Sequence, residues 1–319
     1  MNDQPHCFLA ELPHESLLRI RGPEASKFLQ GQVTCDTRRL SAEQAMPGAY
    51  CTPQGRVVCD FLLAEHEPEH LLLRMRQSIL EASAATFGKY IVFSRAEIAT
   101  DTDQWRILGC WGPDAAAVLE QLLPRLPADD WQAVSGPGFT VVALPGARFE
   151  IYLHGEPGQA LDERLRQLST TGDAADWIAL EIRSGIARIE AETAQMFIPQ
   201  MLNYDLSGHI RFDKGCYTGQ EVVARLHYRG KPKRRLYTAT AVTGALPAPG
   251  DALYTTDSPQ ASGNVVNAIA DDQDPDRSLM LATLTVATAD RGSHLQDADG
   301  PTLELGEHPY MAAFDEQEP

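Results

Sequence analysis

At Arg235 the pattern of this chain changes, and that change restricts the fold more than any other feature of the sequence. Downstream of it, short β-rich runs at 236–242, 252–255, 264–269, 279–286 and 302–305 are separated by turns containing Pro and Gly. Strands of that length and spacing predict a small antiparallel β-barrel. The run ADDQDPDRS (270–278) lacks the ligand spacing and glycine of an EF-hand loop, and predicts a solvated hairpin connection. The acidic tail FDEQEP (314–319) predicts a frayed end.

The chain before Arg235 mixes two periodicities. Residues 17–21 alternate like a strand, after which Gly22-Pro23 opens a helix with Ala25, Phe28 and Leu29 on one face. Residues 48–64 predict a hairpin that turns at Pro53-Gln54-Gly55. A strand at 71–75 precedes Leu80, Ala84, Phe87 and Ile91, which recur at helical spacing. A strand at 105–110 leads to a helix starting at Gly112-Pro113 and carrying Val118, Leu119, Leu122 and Leu123. Strands at 139–144 and 149–154 flank Pro145-Gly146, and Leu161, Leu165 and Leu168 mark a further helix. Trp177, Ile178, Leu180 and Ile182 mark a short helix over 176–185, beyond which runs an extended polar connection holding the FIPQ and KGCYTGQE segments.

Hairpins beside strand–helix units predict a multidomain α+β protein of antiparallel sheets with helices, ending in the small barrel. The expected divisions are an N-terminal α+β domain at 1–110, interleaved with a second at 111–234, and the barrel at 235–319. The chain has no GxGxxG or Walker segment, which argues against dinucleotide-binding and P-loop enzymes.

No run approaches the ~20 apolar residues that cross a bilayer, and the start MNDQPHCFLAELPHES lacks the charged and apolar regions of a secretory signal. A cytoplasmic protein without a membrane partner is expected. The six cysteines, Cys7, Cys35, Cys51, Cys59, Cys110 and Cys216, form no CxxC pair. Neither a disulfide framework nor a stably bound metal is expected. Cys51 and Cys59 fall in strand-like segments, where a cysteine is usually a buried small side chain; convergence with Cys35 as metal ligands is the alternative.

Chemistry concentrates in the segment KGCYTGQE (214–221). Gly215 and Gly219 bracket a tight loop that can present Cys216, and the ammonium of Lys214 would favour its thiolate, the form that attacks electrophiles and binds soft metals. The plainer reading is a small semi-apolar residue in a glycine-rich turn. A net charge of −17 disfavours anionic partners on average, yet Arg225, Arg229, Lys231, Lys233, Arg234 and Arg235, with His227, follow without an intervening acid. Such a stretch either clamps carboxylates or protects a β-edge from pairing, and the residues leave both open.

The segments FIPQMLN (197–203), KGCYTGQEVVAR (214–225) and Tyr228-Arg229-Gly230-Lys231 closely resemble the signature of the YgfZ family, folate-binding-like relatives of the glycine-cleavage T-protein. RIRGPEASKFLQGQVTCDTRRL (19–40) and GAYCTPQGRVVCDFLL (48–63) resemble that family's opening segments in the same order, so the likeness spans essentially the whole chain. It implies a T-protein fold serving in the maintenance of iron–sulfur enzymes, one of which modifies tRNA, so that any effect on tRNA is indirect. Cys216 matches the family's functionally important cysteine, and Lys214, Gly215, Tyr217, Gly219, Gln220 and Glu221 match its neighbours. The resemblance also implies tetrahydrofolate or a derivative as ligand, with Tyr217, Gln220, Glu221, Arg225 and Arg229 as binding residues.

One position departs from the pattern. T-protein-like sequences carry a glutamate two residues before the glycine of a Leu-Glu-Ala-Gly-like segment, where it accepts hydrogen bonds from the pterin. Ile182-Arg183-Ser184-Gly185 puts Arg183 there, and a guanidinium has donors only; Glu181 and Glu190 are the nearby carboxylates.

Two functions follow from the resemblance. The first is an accessory factor for maturation or repair of iron–sulfur enzymes, with Cys216 as key thiol and a folate-like molecule and those enzymes, or their assembly machinery, as partners. The second is a tetrahydrofolate-dependent aminomethyl or one-carbon transferase, for which Asp36 in VTCDT is the candidate acid–base group, although such a residue equally caps a turn. Direct RNA binding through the basic stretch and Tyr217, Tyr228 and Tyr237 is not expected, given the acidic total.

Overall fold

The computed structural model describes residues 6–100, 104–256, 258–306 and 310. The acidic tail at 314–319 lies outside the described residues. The chain divides into two compact units, one of residues 1–48 and 61–177 and another of 49–60 and 178–319.

The first unit begins with β1 (Phe8–Glu11), β2 (Glu15–Arg21) and α1 (Ala25–Gln30). β3 (Met46–Cys51) and β4 (Val57–Glu67) straddle the division, their shared turn belonging to the second unit. β5 (His70–Arg76), α2 (Leu80–Ile91) and β6 (Glu97–Ala99) complete a five-stranded sheet ordered β3-β4-β5-β2-β6. β4 and β5 are buried along nearly their whole length, which their near-continuous Val, Leu and Phe content requires of a sheet covered on both faces.

A second sheet uses β7 (Trp105–Trp111), β8 (Ala133–Gly136), β9 (Phe139–Leu144), β10 (Arg148–His154) and β11 (Thr170–Thr171), with α3 (Ala115–Glu120) and α4 (Gly155–Leu168) between them. Its order is β11-β1-β7-β10-β9-β8, antiparallel except where β1 runs beside β11. Leu108, Val141 and Ile151 from the strands pack with Val118 and Leu119 of α3 and Leu161 and Leu165 of α4. Leu9, Leu108, Leu119 and Leu165 are at most 2% exposed, and each such side chain contributes roughly 1.5–3 kcal/mol by burial. α5 (Ala174–Arg183) brings Trp177 against Gly109, where a β-carbon would stand 2.5 Å from the indole; the sheet admits that ring only because residue 109 has no side chain.

In the second unit, 184–219 is largely irregular, interrupted by a 3-10 turn at Pro199–Leu202. The extended connection expected to hold KGCYTGQE ends within that segment, because Gln220 and Glu221 already begin α6 (Gln220–Arg229). Residues 220–229 contain neither Gly nor Pro, and α6 buries Val223 while Leu226 is half-buried. β12 (Arg234–Val242), β13 (Ala252–Thr255), β14 (Ser258–Ala270), β15 (Arg277–Thr285), β16 (Ser293–Leu295) and β17 (Thr302–Leu305) then close a barrel ordered β12-β15-β14-β13-β16-β17. Ala239, Leu253, Val265, Met280, Ala282 and Leu295 fill it. The α+β architecture of antiparallel sheets with a C-terminal barrel is thus as the sequence predicts, with β16 as a strand its three residues were too short to announce. The boundary expected at residue 110 falls inside β7, and that at 234 on the first residue of β12.

Candidate functional site

Cys216 is exposed, whereas Cys7, Cys35, Cys51, Cys59 and Cys110 are buried. Its loop is fixed from behind. Gly219 adopts φ 85° as it caps α6, and a β-carbon there would lie 2.5 Å from Thr52 O and 3.0 Å from Cys51 Cβ. Only glycine meets both the left-handed backbone and the close approach of the 52–55 turn. Gly215 has open space around it, so its position places no comparable demand.

Tyr217 and Lys214 turn inward instead of sharing the exposure of Cys216. Tyr217 is 7% exposed and Lys214 6%, with the ammonium 5.1 Å from the Tyr217 ring centroid, a cation–π contact. Burial, with a smaller contribution from Cys51, holds the Tyr217 phenol well above its ordinary value, and its Oη is buried without a hydrogen-bond partner among the described residues. The Oε1 of Gln220 accepts from Tyr217 N at 3.3 Å and closes the turn into α6, while Glu221 is exposed in the first turn of that helix. A carboxylate there complements the positive end of the helix dipole.

The FIPQMLN segment anchors this region. Gln200 Nε2 donates to Val223 O at 2.8 Å, Asn203 Nδ2 to Leu236 O at 3.0 Å, and Val57 N to Phe197 O at 2.8 Å. Sequence reasoning used Gln200 only as a mark of resemblance; it is 1% exposed and ties the 3-10 turn to α6.

The basic stretch divides by environment. Arg225 and Arg229 are exposed on α6 rather than on a β-edge, and Lys231 and Lys233 are exposed in the connection that follows. Arg235 is 3% exposed and bonds Asp205 through both terminal nitrogens, at 2.6 and 3.0 Å, so it is withdrawn from any clamp for an external anion. Arg234 donates to Ala261 O at 3.1 Å on the barrel. His227 lies flat on Phe212, ring centroids 3.7 Å apart. Around them opens a cavity of about 510 Å³ whose lining includes Gln200, His227, Lys231, Lys233 and Arg235, and Cys216 is not among its residues.

Arg183 is also committed, bonding Asp271 at 2.9 Å and Asp272. The run 270–278 is the hairpin connection between β14 and β15, exposed at 272–276, and its Asp271 and Asp272 also hold this guanidinium, which keeps the Asp272 carboxyl below its ordinary range. Glu181 accepts from Arg188 Nη1 at 2.9 Å, Arg188 Nε donates to Asp60 at 2.6 Å, and Asp60 accepts from Ile189 N at 2.7 Å. Glu181, Arg188 and Asp60 are at most 2% exposed, and no periodicity in the sequence announced them.

Asp36 lies in the first unit, where it caps the 3-10 turn Thr37–Arg39. Arg38 contacts both its oxygens at 2.8 Å and Gln30 donates at 3.0 Å, which holds the carboxyl at about 2. An acid so stabilised as its anion makes a poor proton donor near neutrality.

Residues 4–141 match the GCVT N-terminal domain family. The tRNA-modifying protein YgfZ of Yersinia enterocolitica serotype O:8 / biotype 1B is 35% identical over 247 residues, covering 77% of this chain and 74% of that protein. The tRNA-modifying protein YgfZ of Photorhabdus laumondii subsp. laumondii is 32% identical over 95% of this chain and 92% of its own. The crystal structure of the glycine cleavage system aminomethyltransferase T from Bartonella henselae superposes with a TM-score of 0.77 at 17% identity, covering 97% of this chain and 87% of that one, a likeness of fold. With identity above 30% running from the N-terminal domain through the barrel, on the fold of an aminomethyltransferase, the chain belongs to the YgfZ family.

Proposed function

We propose that this protein is a cytoplasmic accessory factor for maturation or repair of iron–sulfur enzymes, that its effect on tRNA modification passes through such a client, and that Cys216 is its working thiol. The observation that carries this reading is the exposure of Cys216 when the other five cysteines are buried, on a loop whose backbone Gly219 and Gln220 hold in place. A thiolate so presented can attack an electrophile or ligate iron transiently, whereas a buried thiol is inert. Lys214 and Tyr217 shape the loop behind it.

The folate part of the proposal rests on family likeness and fold. The residues fit it in part: exposed Arg225, Arg229, Lys231 and Lys233 suit a carboxylate tail, but Arg183 offers a pterin no acceptor and is held by Asp271 and Asp272, while Glu181 is held by Arg188. The second reading, a tetrahydrofolate-dependent aminomethyl or one-carbon transferase, draws on the aminomethyltransferase fold and is disfavoured by the state of Asp36.

The test is a Cys216→Ala variant returned to cells lacking the protein. Client iron–sulfur enzyme activity should stay at the level of the null, while the purified variant melts within about 0.5 kcal/mol of the parent. Full client activity with Cys216→Ala would refute the thiol role. Calorimetry with tetrahydrofolate separates the rest: binding without turnover supports the accessory reading, turnover of a one-carbon form supports the transferase, and no binding removes folate from the proposal.

A further inference from the structure

Arg211, Arg225, Arg229 and Lys233 are exposed, and none of their side chains has a hydrogen-bond or ion-pair partner among the described residues. Lys231, which lies among them, has a partner of its own and is not counted. The chain carries a net charge of −17, yet no Asp or Glu occurs between residues 222 and 250, so the charge of these cations is left unspent on their own stretch.

Aromatic rings tie them into one face. Phe212, next to Arg211, lies flat on His227 of α6 with ring centroids 3.7 Å apart, and Tyr228 meets both rings edge-on, 6.2 Å from Phe212 and 4.8 Å from His227. Tyr228 is 67% exposed and stands between Arg225 and Arg229 in the chain. Tyrosine and arginine are the residues that protein interfaces enrich.

On the other side of His227 opens the cavity of about 510 Å³, which Leu226, Pro232, Val286 and Ala287 wall with hydrocarbon. Val286 N donates to Lys233 O at 3.0 Å and joins the barrel wall to the connection after α6. Gln200 lines the cavity too, and with Nε2 used by Val223 O its buried Oε1 has no partner among the described residues. Unmet acceptors of this kind are rare in native interiors and favour a donor brought by a ligand or water.

We infer that α6 and this cavity dock an acidic protein segment, its carboxylates set on Arg211, Arg225, Arg229 and Lys233 and one aromatic side chain seated in the cavity with its N–H or O–H donated to Gln200. Arginine forks match carboxylates in geometry. RNA carries an anion at every nucleotide and is repelled along its length by a chain of net charge −17, whereas a short segment meets mainly the local cations, and the hydrocarbon walls further favour an amino-acid side chain. The inference deepens the accessory reading, because the Cys216 loop runs directly into α6, and it rests on that reading for the segment's belonging to a client.

The probe is the peptide EEDEWEDEE carrying fluorescein, followed by anisotropy with the full chain in its parent and Cys216→Ala forms, so that failure of the thiol role and failure of this face are read separately. Both forms should bind it saturably, with an affinity that falls as salt is added. Arg225→Glu with Arg229→Glu, at exposed positions and checked for folding by circular dichroism, should weaken binding by about tenfold or more, and so should replacing the peptide's Trp with Ala. Lys27→Glu with Lys89→Glu, the same change of charge at exposed positions of the first unit, should leave binding nearly unchanged. Absence of saturable binding, retained affinity in the arginine variant or with the Ala peptide, or an equal loss in the lysine variant would overturn the inference. So would a labelled oligouridylate that binds more tightly than the peptide and loses its affinity in the arginine variant, since the face would then be an RNA site.

Discussion

Polar groups buried in the first unit and polar groups exposed in the second do opposite work. In the first, His66 bonds His154 at 2.9 Å and Thr140 at 2.8 Å beside His70 and Trp105, and Arg74 joins Glu150, which also accepts from Tyr152 at 2.7 Å. Those groups are largely spent on one another inside a packed sheet, although His70 Nε2 is buried without a hydrogen-bond partner among the described residues. In the second, the thiol of Cys216 and the cations of α6 and its following connection face solvent on a frame of neutral hydrogen bonds. The contrast teaches that a cluster of histidines and carboxylates is no mark of chemistry when its members consume one another's valence. Reactive or ligand-directed groups are recognised by what is left unmet.

The largest expected effect breaks the buried side of that comparison within the second unit itself. Arg188→Met would take the guanidinium from Asp60 and Glu181, each at most 2% exposed, and should cost about 3–5 kcal/mol, read as a fall in the denaturation midpoint by circular dichroism. Adding Asp60→Leu and Glu181→Leu should restore much of the loss. If the single variant were as stable as the parent, the triad would be solvated and the contrast false.

A slightly smaller effect concerns the histidines. Burial first, then the neighbouring His154, lowers His66 to about 4, and burial with Arg21 lowers His70 to about 3. Above the ordinary histidine value of about 6.5 both states are neutral and stability is complete. As pH falls from there toward 4 the unfolded chain takes up protons that the folded chain refuses, so stability drops through that window, by roughly 3 kcal/mol for His66. All four tryptophans belong to the first unit, so tryptophan emission during denaturation at successive pH values reads this loss directly. A midpoint unchanged between pH 7 and 4 would show that water reaches the trio.

The smallest effect sharpens the exposed side. Gly219→Ala must hold φ 85° against Thr52 O and should cost about 1–3 kcal/mol, whereas Gly215→Ala, with open space around it, should fall within about 0.5 kcal/mol of the parent. Thermal melts of the pair decide the matter. Equal losses would mean that the loop is braced at both ends.

Much of this was legible before any coordinates. The barrel strands, the hairpin at 48–64 and the helices around Phe28, Phe87, Leu119 and Leu165 follow from periodicity, because apolar spacing reports which face of an element is buried. α6 was missed because its polar face and the glycines just before it mask a weak apolar stripe of Val223 and Leu226. β6, β11 and β16 are three residues or fewer, too short for alternation to show. Among the site residues, the motif singled out Cys216, but nothing in it distinguished exposed Lys233 from Arg235, two positions later and locked to Asp205.

The sequence by itself determined the class of fold, the family, and the segment in which the chemistry is concentrated, since periodicity and motif are local properties of the chain. Only the tertiary structure decided which charges are spent and which remain available. Asp271 and Asp272 hold Arg183, Asp60 holds Arg188 together with Glu181, and Asp205, 30 residues upstream, holds Arg235, so the availability of a charge depends on partners that chain order does not reveal.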